Sequence, residues 1–281
     1  MEHHKGWGTA FADGLKRHGW TVHVETKPRR CDMIVFWGAR HAKLYREQSG
    51  ASEVCLLERG YLGDRFQWAS VSFGGGLNGR GRFAGPFDDG SRWGRYFAHL
   101  MRPWRETPGR YALVMHQVPG DMATVNVNLG EFYRKARAAF SPLMEVRERR
   151  HPRLTPKHGA EVIQQSAQSL AADLEGAAVV VTWNSNGGVD AVLAGVPTVA
   201  MDEGSMAWAV TGHALEIPPM PDRTAWAKAM AWKQWRVEEM ASGACWEAVG
   251  SPYARAAPLG HLAPSEARCA RPDASSQGFE P

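Results

Sequence analysis

Val179-Val-Val-Thr-Trp-Asn-Ser-Asn-Gly-Gly-Val-Asp-Ala-Val-Leu-Ala-Gly-Val-Pro-Thr-Val-Ala-Met201 reads as a strand, a glycine turn, a short helix and a second strand. Val179 to Thr182 is a continuous β-branched run, which suits a parallel strand covered on both faces. Ser185-Asn-Gly-Gly188 breaks it with residues that cap a helix or tolerate positive φ. Val189 to Ala194 then forms a short helix, stopped by Gly195 and Pro197 before Thr198 to Met201 returns to the sheet. A turn of this kind aims backbone N–H groups and a helix dipole at whatever lies above the strand's carboxyl end, which makes an anion site. Every αβ unit needs a glycine turn for packing as well. Asp190, in the first helical turn where a carboxylate reaches ribose hydroxyls, and the small-residue helix itself favour the ligand reading.

The 281-residue chain is long enough for two modest domains, and its 44% hydrophobic and 22% charged residues are ordinary for a globular protein. No apolar run approaches the roughly 18 residues that span a membrane, and the first residues do not read as a signal peptide, so a cytoplasmic protein without a membrane partner is expected. Cys31, Cys55, Cys245 and Cys269 are scattered without a CxxC pair, which argues against zinc and disulfides. Net charge is +4. Its distribution is more telling: Arg80, Arg82, Arg92, Arg95, Arg102, Arg105 and Arg110 interleave with Phe83, Phe87, Trp93, Tyr96, Phe97 and Trp104. Such a stretch grips a polyanion by phosphate contacts and stacking, or is a solvated face over core aromatics.

Outward from the opening unit, Trp7, Ala10, Phe11 and Leu15 lie at helical spacing, Thr21 to Val24 alternates as a strand, and Met33 to Trp37 is an apolar strand. Arg40 to Gln48 reads as a helix and Val54 to Leu57 as a further strand, giving βα units of a parallel sheet that lacks its usual first strand. Phe66 to Asp89 reads as a long loop, Ser91 to Trp104 as a helix and Arg105 to Arg110 as a linker. A second series follows: strand Tyr111 to Met115, helix Leu129 to Phe140, strand Leu143 to Arg149 and helix Glu161 to Glu175. Ala225 to Met240 is one Trp-rich amphipathic helix, and the chain from Ser251 onward reads as a disordered tail. The expected organisation is therefore an α/β lobe over 1–105, a second over 110–222, a helical segment over 223–250 and a tail over 251–281, with the site in the cleft between the lobes.

The Gly187-Gly-Val-Asp-Ala-Val-Leu-Ala-Gly-Val-Pro-Thr-Val-Ala200 segment resembles the nucleotide-sugar signature of GT-B glycosyltransferases, whose two Rossmann-like parallel-sheet lobes face across a cleft. Arg147-Glu-Arg-Arg-His-Pro152 is similar to an Arg/His-Pro element of capsule-type transferases. Glu58-Arg-Gly-Tyr-Leu-Gly-Asp-Arg65 followed by Gly76-Leu-Asn-Gly79 is similar to a pattern in the same enzymes, and looks closer still to phage proteins thought to glycosylate hypermodified DNA bases.

The resemblance implies transfer of a sugar from a UDP-sugar such as UDP-glucose, without a metal or a covalently bound cofactor. The acceptor it implies is a 5-hydroxymethylcytosine in double-stranded phage DNA, inside an infected bacterial host. Glu58, at a strand's carboxyl end in the first lobe, is the expected general base, with Asp64 as orienter or alternative base. Donor contacts fall to Gln117, Arg149, His151, Thr182, Asn184, Ser185, Asn186, Gly187, Gly188, Asp190, Asp202, Glu203 and Ser205. Arg149 and His151 supply positive charge to the departing diphosphate, and Asp190 holds the ribose. His116, Gln117 and Asp121 contact the donor sugar or cap a helix. Arg59, Arg65, Asn78, Arg80, Arg82, Arg92 and Arg95 are the expected acceptor or DNA contacts, the base being flipped into the cleft. Rival readings are a capsule- or lipopolysaccharide-type transferase, a non-catalytic nucleotide-binding module and an epimerase.

Overall fold

A computed structural model describes residues 2–107, 109–154 and 168–256. The opening unit folds as read: β6 (Ala177–Thr182), α6 (Gly187–Leu193) and β7 (Thr198–Ala200). With β4 (Tyr111–Met115) and β5 (Glu145–Arg149) they form a sheet of order β5-β4-β6-β7 in which every pairing is parallel. All five residues of β4 are buried, as a parallel strand covered on both faces requires. Helix α4 (Leu129–Phe140) packs Leu129, Phe132, Tyr133, Ala136 and Phe140 inward, and the Asn128 side chain caps it by accepting from Glu131 N at 3.0 Å. Helix α5 (Leu170–Gly176) covers part of the expected Glu161 to Glu175 helix, and residues 155–167 lie outside the described set.

Gly195 ends α6 at φ +75°, and a Cβ there would stand 2.0 Å from the Pro103 carbonyl oxygen. Both the left-handed backbone and the close approach demand glycine. Gly195→Ala is expected to cost at least about 1–3 kcal/mol, the usual range for such strain; urea denaturation measures it, and a variant as stable as the parent contradicts this reading.

The first sheet has the order β1-β2-β3-β8, and it is mixed rather than parallel. β1 (Met33–Trp37) runs parallel to β2 (Glu53–Arg59), while β3 (Ala69–Phe73) and β8 (Gln234–Trp235) add antiparallel. Two expectations are corrected here. Thr21 to Val24 alternates but is not a strand, because no neighbour pairs with it and Val24 is 81% exposed. The supposed loop Phe66 to Asp89 contains β3, whose serines at 70 and 72 are buried with its apolar residues and so hide the period-2 signal. Helix α1 (Glu2–Arg17) lays Trp7, Ala10, Phe11 and Leu15 on this sheet, and α2 (Ala42–Ser49) follows β1. Helix α3 stops at Ser91–Tyr96 and passes into a short 3-10 turn over Ala98–Leu100, less than the continuous helix expected.

The expected single helix Ala225 to Met240 is instead α7 (Thr224–Ala231), strand β8 and α8 (Val237–Ser242), followed by α9 (Ala244–Ala256). The strand breaks the helix because the chain returns to the first lobe and pairs with β3 there. Helix α9 carries the start of the expected tail; residues 257–281 lie outside the described set. Nor is the segment before β4 a loose linker: Arg105 donates to the carbonyls of Glu175 and Ala177 at 2.9 and 3.0 Å. Chain entry to and exit from the second lobe are stapled together, with Trp104 Nε1 on the Pro221 carbonyl at 2.8 Å and Arg223 Nη2 on that of Arg102 at 2.7 Å. Between the lobes, one apolar cluster joins Tyr61, Leu62, Trp68 and Phe97 to Val189, Val192, Met206 and Trp226. Among the described residues, no helix is long and apolar enough to cross a membrane.

Candidate functional site

The carboxyl ends of β2, β4, β5 and β6 meet where the lobes face each other. Glu58, the second-to-last residue of β2, lies against Gly38 just after β1: a Cβ on Gly38 would be 3.3 Å from Glu58 Oε1. Burial pushes the Glu58 carboxyl above the usual carboxylate range, a shift that Asp121 adds to and that the Arg59 backbone N–H, Arg59 and Arg153 oppose. Asp121 and Arg153 belong to the second lobe, so the candidate base senses charges across the cleft. Arg153 Nη2 donates to Asp121 Oδ2 at 3.4 Å, and its backbone N–H donates to His151 Nδ1 at 3.1 Å. Burial, then Arg153 and Arg65, hold the His151 imidazole below its ordinary value against the pull of Asp121. At neutral pH His151 is therefore a neutral hydrogen-bonding group.

Arg65 reaches across to pair with Asp190 in the first turn of α6. Burial raises the Asp190 carboxyl by more than Arg65 lowers it. Asp64, by contrast, turns back on its own loop, accepting from Phe66 N at 3.0 Å and Gln67 Nε2 at 3.2 Å, and it is exposed. The structure does not bring it to Glu58.

The Ser185 to Gly188 turn is well ordered by its own bonds. Thr182 Oγ1 accepts from Ser185 N at 3.0 Å, Ser185 Oγ from Gly187 N at 3.2 Å, and the Ser185 carbonyl from Gly188 N at 2.9 Å. These N–H groups, expected to face an anion, are thus engaged within the turn. What remains is the Asn186 side chain: its Nδ2 donates to the Tyr61 carbonyl at 3.2 Å, and its buried Oδ1 has no hydrogen-bond partner among the described residues. Behind the turn, Gln117 Oε1 accepts from Asn184 N at 3.0 Å and its Nε2 donates to Asn184 Oδ1 at 2.7 Å. His116, expected in the same strand-end loop, is buried, stacked on Tyr133 at 3.8 Å and bonded to Glu148 at 2.8 Å, so it supports the loop.

Asp202 is saturated. Arg80 holds both its oxygens at 2.7 and 2.6 Å, while Asn184 Nδ2 and Gly204 N donate to Oδ1 at 3.0 and 2.9 Å. These partners outweigh burial and lower its carboxyl. With Gly79 N on the Gly204 carbonyl at 3.0 Å, the pair straps the Asn78–Arg80 turn to the second lobe. Ser205 is buried and caps its own turn, whereas Glu203 is exposed. Arg149 is drawn away toward α5, where it pairs with Asp173 and donates to the Gln168 carbonyl.

Of the arginines in the Arg-aromatic stretch only Arg92 is buried; Arg80, Arg82, Arg95, Arg102 and Arg110 are exposed, and several of them are already paired or laid over a ring. Arg80 pairs with Asp202 and Arg82 with Glu53. Arg92 is 6% exposed, with Glu239 on its guanidinium at 2.6 and 2.7 Å and the rings of Trp68 and Trp235 around it. Arg59 lies over Phe66 and Arg95 over Tyr96. Sequence reasoning passed over Tyr61, Arg153 and Gln234. Arg153 carries a usable signal, one residue beyond His151-Pro152, and Tyr61 lies inside the Glu58 to Arg65 block; Gln234 has none. A cavity of about 350 Å³ opens between the lobes, with Lys43, Arg46, Asn78 and Arg80 on one side and Met122, Ala123 and Asn184 on the other.

Two α/β lobes, the second wholly parallel and the first mixed, joined by a shared apolar cluster and meeting at their strand ends, make a Rossmann-like two-lobed fold. No protein-family model and no curated protein sequence matches this chain. Among solved structures it is similar to the β Kdo 2,4 transferase of Thermosulfurimonas dismutans KpsC, with a TM-score of 0.50 and 16% identity over 76% of this chain and 84% of that one. The β Kdo 2,7 transferase of the same protein gives a TM-score of 0.47 and 17% identity over the same shares. The likeness is one of fold.

Proposed function

We propose that the protein transfers a glycosyl group from a nucleotide sugar to a saccharide hydroxyl, with Glu58 as general base. The observation that carries this reading is the placement of Glu58 near the end of β2, partly buried against Gly38, with Asp121 and Arg153 of the second lobe acting on its carboxyl from across the cleft. In the step, the carboxylate of Glu58 takes the acceptor's hydroxyl proton. The acceptor oxygen bonds to the anomeric carbon as the bond from that carbon to the phosphate oxygen breaks, and the nucleotide leaves with the electron pair. Arg65, Arg153 and a neutral His151 are the groups placed to stabilise the charge that develops on the leaving phosphate. Asn186 Oδ1 offers an acceptor to a donor hydroxyl or amide. Asp190 takes the ribose once it is released from Arg65.

The saccharide acceptor is preferred to a hydroxymethylated base because Arg80, Arg82 and Arg92, three of the arginines that suggested a polyanion, are already paired with Asp202, Glu53 and Glu239. The fold likeness to capsule Kdo transferases is compatible with it. The test is incubation with a panel of nucleotide sugars, UDP-glucose among them, and two acceptor sets: oligosaccharides, and DNA containing 5-hydroxymethylcytosine digested afterwards to nucleosides. Mass spectrometry is expected to show a sugar added to an oligosaccharide. A glycosylated nucleoside alone would move the acceptor to DNA, and nucleotide binding without turnover of any donor would leave a binding module.

A further inference from the structure

We infer that Gln234 is a positioning residue for the candidate base: from β8 it fixes the backbone that sets both Glu58 and Arg65 in the cleft. This rests on the transferase reading given above. Glu58, Ser70 and Gln234 stand in one row across β2, β3 and β8, so the glutamine side chain shares a sheet face with the candidate base. It is fully buried. Its Oε1 accepts from Tyr61 N at 2.6 Å and Leu62 N at 3.0 Å, and its Nε2 donates to the Leu62 carbonyl at 3.2 Å.

Those three bonds fall in the middle of the Glu58 to Arg65 span. Upstream, Gly60 N donates to the Trp68 carbonyl at 2.8 Å, and a Cβ on Gly60 would stand 2.5 Å from Trp68 Cβ and 3.0 Å from Gln234 Oε1. Downstream, Asn186 Nδ2 holds the Tyr61 carbonyl and Arg65 pairs with Asp190. The loop is thus gripped from beneath by the returning C-terminal segment and from across the cleft by the second lobe. An apolar side chain at 234 leaves two buried N–H groups and a carbonyl unpaired, and the span relaxes toward solvent to satisfy them. Such a shift moves the Glu58 carboxylate out of its buried seat.

The experiment uses the full chain with Gln234→Met, which keeps the volume and removes all three bonds, and Gln234→Glu, which keeps an oxygen for both N–H groups. For Gln234→Met, kcat falls by about 10²-fold, the cost of a misplacement of about 1 Å. Donor KM changes less than kcat, since the base acts only in the transition state while Arg65 is one of several donor contacts. The acid limb of the pH profile moves down toward the ordinary carboxylate range as Glu58 becomes solvated, and Gln234→Glu recovers most of kcat. Hydrogen exchange gives a readout that needs no turnover: the Tyr61 and Leu62 amides exchange faster in Gln234→Met while those of Leu113 and Val180 do not change. Should Gln234→Met fail to fold, Gly60→Ala presses on the same span and is read in the same ways. Unchanged exchange at Tyr61 and Leu62, or a wild-type kcat with an unmoved acid limb, overturns the inference. A parent chain that turns over no donor overturns the transferase reading instead, and the exchange result still decides the tie.

Discussion

Glu58→Gln removes transfer and leaves a more stable protein. The rate falls by about 10²–10⁴-fold, the usual contribution of a positioned base, while nucleotide binding measured by calorimetry is kept. The stability follows from the sign of the shift. Burial raises the Glu58 carboxyl in the fold, so the folded chain binds its proton more tightly than the unfolded chain does. That contribution is complete below the unfolded value and is lost as pH rises through the folded one. At neutral pH the wild type therefore carries a partly buried carboxylate at a cost, which a glutamine does not carry. The melting temperature of Glu58→Gln exceeds that of the wild type at pH 7–8, and the difference closes under acid conditions. Wild-type activity falls as pH drops through the same raised value. A variant that is less stable at pH 8, or that retains transfer, removes Glu58 from this role.

The largest loss of stability is expected at Arg92. Its guanidinium makes two bonds to Glu239 and donates to the carbonyls of Ala231 and Gln234, both at 2.8 Å, inside a ring of aromatics. Removing one partner of a buried pair strands the other charge, at about 3–5 kcal/mol, out of a total stability of about 5–15 kcal/mol. Arg92→Ala is expected to fall in that range by urea denaturation. The double variant Arg92→Met with Glu239→Met recovers part of the loss, because no stranded charge remains. A single-variant loss below about 1 kcal/mol would show the pair to be solvated in the manner of a surface bridge. The contrast matters for function too, since the same arginine in a sequence reads as a nucleic-acid contact.

Legibility followed physical type. Uninterrupted β-branched runs such as Val179 to Thr182, and helix stops such as Gly195, announce themselves because their signal is local. β3 was missed because its buried serines mimic a loop. Trp232 to Arg236 was read through as helix because apolar spacing continues while the chain extends to join a strand from far upstream. Glu58 was legible as a charged residue ending an apolar strand. The pairing of Arg65 with Asp190 was not, since it links residues 125 positions apart. Arg80 and Arg92 show the same lesson in reverse: a run of cations in sequence says nothing of the carboxylates that the fold brings to them.

The staple at Trp104–Pro221 and Arg102–Arg223 gives the chain an unexpected genealogy of parts. The first lobe is discontinuous, begun by the N-terminal elements and finished by β8, α8 and α9, and the second lobe is an insertion whose two ends already touch. A lobe held between joined ends is an exchangeable cassette. Replacing it between Arg105 and Pro221 would exchange the wholly parallel sheet while leaving the first sheet, its Gln234 tie and its core unbroken. Cutting the chain into its two apparent halves would instead destroy the lobe that looks complete.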